Sequence, residues 1–412
     1  MARSHLTLAA LATSAVAELD VAQARAHSLR SHGRFDSALL VGRDGSRLII
    51  RVPRSQAAET EQSADLVALR ALTIGNRSRL PFDVPQFVGQ APAGGTRAVV
   101  YELLAGDAFD ADALTGHAGV SGSIGRAIAA IHGLPTAFVG TAGLPQQTAA
   151  ECRASAIDVI DRASDTGYLP AAILRRWEQA TDDEALWQFP PTVIHGSLSA
   201  ESFLITDDAV SGVLGWAGLS VGDPARDLHW LLAARGREAE AAMSAYSTAR
   251  QGSDSRITQR AMLYAEMELA RWLLHGTATR NQAIVDDAVA MLDGLVENVH
   301  SQTMYPLSPA TAPVLDLSAV ESMLRSTPRG EPRSGNGSAM QTDAYDLSEF
   351  RKSEFDDGES DHGARDDSGR NDSGDTGAID QPRLFHDSEA ATGPVDIGAT
   401  TDDQANTRSP SE

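Results

Sequence analysis

The apolar residues of this chain change spacing twice, and those changes limit what it can fold into. Up to about residue 106 they fall in short runs closed by turns. Residues 36–52 set two such runs around Asp44-Gly45, the pairing expected of a β-hairpin. Asp83-Val84-Pro85 turns into a strand near 86–90, and Gly94-Gly95 leads into another from Arg97 to Leu104. Residues 57–74 interrupt the pattern with Leu66, Leu69 and Leu72 on one helical face. Beyond residue 118 the spacing turns helical, over 121–131, 148–165, 170–179, 224–234, 236–249, 257–276 and 280–298. Short strands at 192–194, 202–205 and 210–216 break that series. The order predicts an α+β fold in two lobes. A small antiparallel sheet lobe with a leading helix and one interposed helix spans residues 1–106, and a mainly helical lobe spans 107–305.

From about residue 306 the spacing disappears. Residues 326–412 are rich in Asp, Gly, Ser, Thr, Pro and Arg, and bury too little apolar surface to offset their ordering entropy. The region 306–412 is therefore expected to be a disordered acidic tail. Val314–Leu324 is a candidate further helix, and Tyr345–Phe350 and Leu384-Phe385 are candidate docking spots. The tail also divides the charge: of the net −22, residues 321–412 carry −12 and residues 1–320 carry −10.

Such acidity excludes a nucleic-acid binder, which needs a basic footprint. The single cysteine, Cys152, excludes an intrachain disulfide framework and a cysteine-rich metal site. No run approaches 18 uninterrupted apolar residues, so no membrane span is expected. Residues 1–17 hold one arginine and an apolar run broken by Thr7 and Thr13. They read as a first helix capped by Ser4 rather than as a secretion signal, which makes the expected location cytoplasmic. Lys352 is the only lysine, so any cationic role in residues 1–351 falls to arginine or histidine.

The most informative run is Val193-Ile-His-Gly-Ser-Leu-Ser-Ala-Glu-Ser-Phe-Leu-Ile205, followed by Val210-Ser-Gly-Val-Leu-Gly-Trp216 and Gly222-Asp-Pro-Ala-Arg-Asp-Leu228. It resembles the aminoglycoside/macrolide phosphotransferase family. That family's pattern is His-Gly-Asp-Leu-His-x-Gly-Asn, then Asp-Trp, then Gly-Asp-Pro-x-x-Asp-Leu. Ile50–Arg54, Asp83–Pro85, Tyr101–Gly106, Gly125–His132 and Glu268–His275 also fit, so the resemblance extends over about residues 1–300. It implies a bilobal protein-kinase-like fold. Arg51 then stands where a lysine pairs the nucleotide phosphates, and Asp65, or Glu61 one turn earlier, where its partner acid lies. Glu102 and Leu104 fall at the hinge that offers backbone groups to an adenine. His195 props the catalytic loop. Asp223 caps the helix that starts near Pro224, and Asp227 accepts hydrogen bonds from the loop backbone. Trp216, Trp230, Trp272 and Cys152 are expected in the core.

The departures from the pattern carry the functional expectation. Ser197 replaces the catalytic aspartate, Ser202 the metal-binding asparagine, and Gly215 the main metal-binding aspartate. Phosphoryl transfer depends on positioning and on charge neutralisation by Mg²⁺. Two hydroxyls and a glycine supply neither a carboxylate base nor ligands for a hard dication. The expectation is thus a catalytically inactive, pseudokinase-like protein that binds, scaffolds or regulates. It needs no cofactor; ATP or GTP is the residual ligand of its cleft, and Mg²⁺ has no evident site. Its partner is a protein or a small molecule. The alternative is an active ATP- or GTP-dependent O-phosphotransferase for a small molecule, with Glu201, Asp207 or Asp208 supplying a rearranged metal site. A third reading is a folded but unspecialised domain.

Overall fold

The computed structural model describes residues 3–27, 33–109, 118–233, 237–252, 254–301 and Leu307. The tail expectations at 314–324, 345–350 and 384–385 lie outside those residues. Helix α1 (His5–Ala15) is capped by the Ser4 hydroxyl, which accepts the Thr7 N–H (3.2 Å). Strand β1 (Val21–Ala26) carries three alanines and no β-branched residue after Val21, so local sequence does not announce it. It forms by pairing antiparallel with β2 (Phe35–Gly42), which joins β3 (Arg47–Pro53) in the expected hairpin.

Ser55 caps α2 (Gln56–Ala71) through the Ala58 N–H (3.2 Å). This helix stops short of residue 74 because the Arg77 guanidinium takes the Leu69 and Leu72 carbonyls (2.9 and 2.7 Å). Arg77 itself ends a separate short helix, α3 (Ile74–Arg77). With β4 (Phe87–Ala93) and β5 (Thr96–Glu102) the sheet has five antiparallel strands in the order β1-β2-β3-β5-β4. Strand alternation sorts its side chains onto two faces. Ala38, Leu40, Leu48, Ile50 and Val52 pack with Leu8 and Ala12 of α1. Ile49, Val99 and Tyr101 turn the other way, into the main core with Leu66 and Leu69 of α2.

The second lobe runs from β6 (Asp107–Ala108) through α4 (Ala118–His132), α5 (Ala137–Thr141), α6 (Ala149–Asp165) and α7 (Ala171–Asp182). Then come β7 (Thr192–Ile194), β8 (Phe203–Thr206), β9 (Ala209–Val213) and β10 (Ser220–Gly222). Strand β8 pairs with β6 and β9, and β7 with β10. Four helices close the lobe: α8 (His229–Ala233), α9 (Arg237–Ala249), α10 (Ile257–Ala278) and α11 (Gln282–His300). The helix expected over 224–234 is broken into a 3₁₀ turn at Pro224–Asp227 and α8. The Arg226 carbonyl accepts the His229 ring N–H (2.6 Å) and the Asp227 carbonyl the Trp230 indole N–H (3.1 Å). Side chains thus occupy carbonyls that a continuous helix would use.

Arg260 of α10 is fully buried and bonds both oxygens of Asp223 (2.8 and 3.1 Å), with Asp254 as a second carboxylate partner. Its plane stacks on Phe189 at 4.1 Å, and the two carboxylates hold it firmly cationic against the cost of burial. Trp216, Trp230 and Cys152 are buried as expected. Trp272 is not: it is 37% exposed, stacked on His275 and bonded to Asp287 of α11 (2.9 Å). The buried stripe of α10 runs through Met267, Ala270 and Leu273, which leaves Trp272 at its edge. Among the described residues, no helix is long and apolar enough to cross a membrane.

Candidate functional site

The loop after β7 is built around one carboxylate. Asp227, fully buried, accepts the backbone N–H groups of His195 (2.7 Å) and Gly196 (2.8 Å). The same carboxylate receives the ring of His132 (Nε2, 3.1 Å), whose Nδ1 lies 2.9 Å from the Tyr246 hydroxyl. A carboxylate only accepts, so the His132 ring presents an N–H from Nε2 to Asp227. Burial pushes the Asp227 carboxyl up. The His132 bond, the neighbouring His132 and His195 rings and the Gly196 N–H outweigh it and hold the group below the ordinary carboxylate range. His132 and Tyr246 belong to this anchor, and only their packing brings them to it; the sequence marks His132 merely as a helix end before Gly133.

His195 is fully buried, and burial lowers the pKa of its ring. Its Nε2 faces the Leu214 carbonyl at 3.1 Å, so Nε2 bears the proton and Nδ1 is bare. The Ser197 hydroxyl, exposed, lies 3.5 Å from that Nδ1 and donates to the Gly215 carbonyl at 3.3 Å. Ser202 is buried; its hydroxyl accepts the Ser199 N–H (3.2 Å) and its carbonyl the Leu214 N–H (2.8 Å). His195, Ser197, Ser202 and Gly215 therefore meet in one pair of loops.

Gly215 has φ +80° and ψ +50°, the left-handed region, and ends the strand that the sequence carried on to Trp216. The N–H of fully buried Trp216 donates to Asp65 of α2 at 2.8 Å, and the Tyr101 hydroxyl donates to the other Asp65 oxygen at 3.4 Å. Burial pushes the Asp65 carboxyl up against the pull of Arg51 and these two donors. Asp65 thus grips the second lobe through a backbone N–H. It makes no ion pair with Arg51, whose guanidinium stacks on Phe35 at 3.9 Å. Glu61 is turned away to Arg34 (2.6 Å). Glu102 is exposed, with its N–H on the Gln86 carbonyl (2.9 Å). Leu104 lies two residues further along the link to the second lobe, and its side chain packs against Gly212 of β9.

These residues do not fit a divalent cation. Gly215 has no side chain, Ser202 spends its hydroxyl on a turn, and Ser197 is a neutral hydroxyl. Among the described residues, no group of three or more His, Cys, Asp or Glu side chains is placed to hold a metal. Asp207 and Asp208 form the tip of the β8–β9 hairpin, both at positive φ (48° and 58°). The Val210 N–H ties that hairpin to Ser123 of α4 (2.9 Å). Glu201 is exposed on a 3₁₀ turn.

The sequence model described as "Phosphotransferase enzyme family" matches residues 28–264, more than half of the chain. The chain belongs to that family. Among solved phosphotransferase structures, macrolide 2'-phosphotransferase MphH from Brachybacterium faecium superposes with a TM-score of 0.59. It is 21% identical, over 70% of this chain and 98% of that one. The GDP and kanamycin complex of an APH(2") enzyme gives a TM-score of 0.59 at 16% identity, over 71% of this chain and 99% of that one. At these identities the likeness concerns the fold. The uncharacterized protein YcbJ of Bacillus subtilis is 24% identical over 196 residues, 44% of this chain and 61% of YcbJ. The chain thus matches less than two thirds of that relative's length.

Proposed function

We propose that this phosphotransferase-family domain is a catalytically inactive, pseudokinase-like member that binds, scaffolds or regulates in the cytoplasm. The observation that carries the reading is the triple replacement at Ser197, Ser202 and Gly215, in loops whose backbone is held by Asp227 and Ser202. Phosphoryl transfer needs a metal across the phosphates and an acceptor for the substrate hydroxyl proton. A serine hydroxyl is no proton acceptor near neutral pH, and its neighbour His195 is buried and hard to protonate. Asp65, the acid of α2, is committed to the Trp216 N–H. Asp207 and Asp208 sit in a hairpin tip anchored to α4, which gives the alternative of a rearranged metal site no support.

The test is turnover by the full chain with ATP or GTP and Mg²⁺, read as phosphate release and as phosphorylation of a macrolide and aminoglycoside panel by mass spectrometry. No product above a heat-treated control is expected. Product that disappears in Glu201→Gln would establish the active alternative.

A further inference from the structure

We propose that a cavity at the N-terminal end of α2 is a binding site for a small zwitterion with neighbouring carboxylate and ammonium groups, the head group of a free α-amino acid.

The cavity measures about 410 Å³. Arg3 ahead of α1, Asp36 of β2, Arg54, Gln56 and Glu59 around the start of α2, and Thr96 of β5 line it. Its volume falls within the range of about 300–1,000 Å³ usual for small-molecule sites. Asp36 alternates with Ala38 and Leu40, and Thr96 with Ala98 and Val100, so the cavity opens on the α1 face of the sheet. The Ser197–Gly215 loops belong to the other face, where Ile49, Val99 and Tyr101 join the core that contains Trp216. Arg3, one wall of the cavity, precedes the family-matched residues 28–264.

The charges around the cavity are not all spent on one another. One oxygen of buried Asp36 accepts the Arg3 backbone N–H (3.1 Å) and the Arg3 guanidinium (3.2 Å). The other Arg3 amino group donates to the Ala93 carbonyl (3.2 Å). Arg54 finds less. Its Nε stays 3.7 Å from the second Asp36 oxygen, beyond hydrogen-bond length, and one Nη donates to the Gly33 carbonyl (3.1 Å). Two guanidinium groups thus share one carboxylate, and the unbalanced positive charge falls to exposed Arg54. The first turn of α2 adds to it. Ser55 accepts the Ala58 N–H on its hydroxyl and the Glu59 N–H on its carbonyl. Among the described residues, the Gln56 and Ala57 N–H groups have no acceptor. Glu59 supplies the opposite sign: it is half-buried and makes no ion pair among the described residues.

A loosely held cation and an unpaired anion on one cavity decide the ligand class. A simple anion would gain Arg54 and the α2 N–H groups but meet the Glu59 charge. A simple cation would gain Glu59 but meet two guanidinium groups. A molecule with both signs on adjacent atoms satisfies Arg54, the helix end and Glu59 together. An α-amino acid carries its carboxylate and its ammonium on one carbon.

Isothermal titration of the full chain with each common L-amino acid, up to about 10 mM, tests this. Binding of at least one is expected. Its N-acetyl derivative, which removes the cation, and its primary amide, which removes the anion, should each bind about tenfold more weakly, the loss of one charge-assisted contact. Arg54→Gln should cost the free amino acid about the same factor and leave the amide unaffected. Glu59→Gln should cost it as much and leave the N-acetyl form unaffected. Arg162→Gln, on α6, should change nothing. Circular dichroism melts confirm that each variant is folded. Absence of binding by every amino acid, blocked derivatives that bind as tightly as the free form, or unchanged affinity in folded Arg54 and Glu59 variants would overturn the proposal. Turnover at the Ser197–Gly215 loops is a separate measurement, and neither result decides the other.

Discussion

Gly196 and Gly215 both have positive φ, yet substitution should separate them sharply. At Gly215 (φ +80°) an added Cβ would meet nothing within 4 Å. The cost of Gly215→Asp is then the left-handed backbone alone, about 1–2 kcal/mol, with aspartate at the lower end because it tolerates that region. At Gly196 (φ +83°) a Cβ would lie 2.2 Å from the Gly218 carbonyl oxygen, a backbone atom with no rotamer to relieve the clash. Gly196→Ala therefore adds overpacking of about 1–3 kcal/mol to the same strain, about 2–5 kcal/mol together. At about 2 °C per kcal/mol for a domain of this size, melting should fall by about 2–4 °C for Gly215→Asp, toward the lower end, and about 4–10 °C for Gly196→Ala. Differential scanning fluorimetry of the two variants beside the parent reads both shifts. Equal losses would refute the reasoning, because they would mean that the loop around Gly215 is as closed as the one around Gly196. An intact fold in Gly215→Asp also places a carboxylate back in the loop without rebuilding it.

Three further outcomes follow from buried partners. Asp65→Ala leaves the Trp216 N–H without its acceptor and should cost about 1–3 kcal/mol in urea unfolding; no loss would mean that water replaces the carboxylate. Asp227 is held below its unfolded pKa, so its stabilisation is complete above about pH 4 and fades as pH falls through the folded value. The urea midpoint of the parent should drop below pH 4 more steeply than that of Asp227→Asn, which starts lower at pH 7; parallel curves would contradict the assignment. Arg260→Met strands Asp223 and Asp254 and should destabilise by about 3–5 kcal/mol, read by thermal or urea melts.

What the sequence made legible was local. Asp223 next to Pro224 reads as a cap, and the structure gives it the Ala225 N–H at 2.9 Å. Asp44-Gly45 reads as a hairpin, and the run from His195 to Asp227 reads as one loop system because its spacing is nearly contiguous. The rest depends on packing between distant segments. Asp65 and Trp216 are 151 positions apart, and no pattern near either tells that a side chain will seek a backbone N–H rather than Arg51. Trp272 satisfies helical spacing as well as Leu273 does, and only the position of α11 decides which of them is covered. Strand β1 has the composition of a helix and becomes a strand because β2 offers an edge.

The Asp65–Trp216 bond also has a kinetic side. It joins the helix of the sheet lobe to the loop of the helical lobe, so parting the lobes around the cleft must break it. A hydrogen bond to a charged group is worth about 1.5–3 kcal/mol, which makes the parted form roughly 10- to 150-fold rarer than it would be without the bond. A ligand that needs the lobes apart to enter would meet a receptive molecule that much less often, and one already inside would leave at a correspondingly reduced rate. The latch closes whether or not a ligand is present. It therefore favours long residence over rapid exchange, a property suited to a protein that holds its ligand and poorly suited to one that must release product at every cycle.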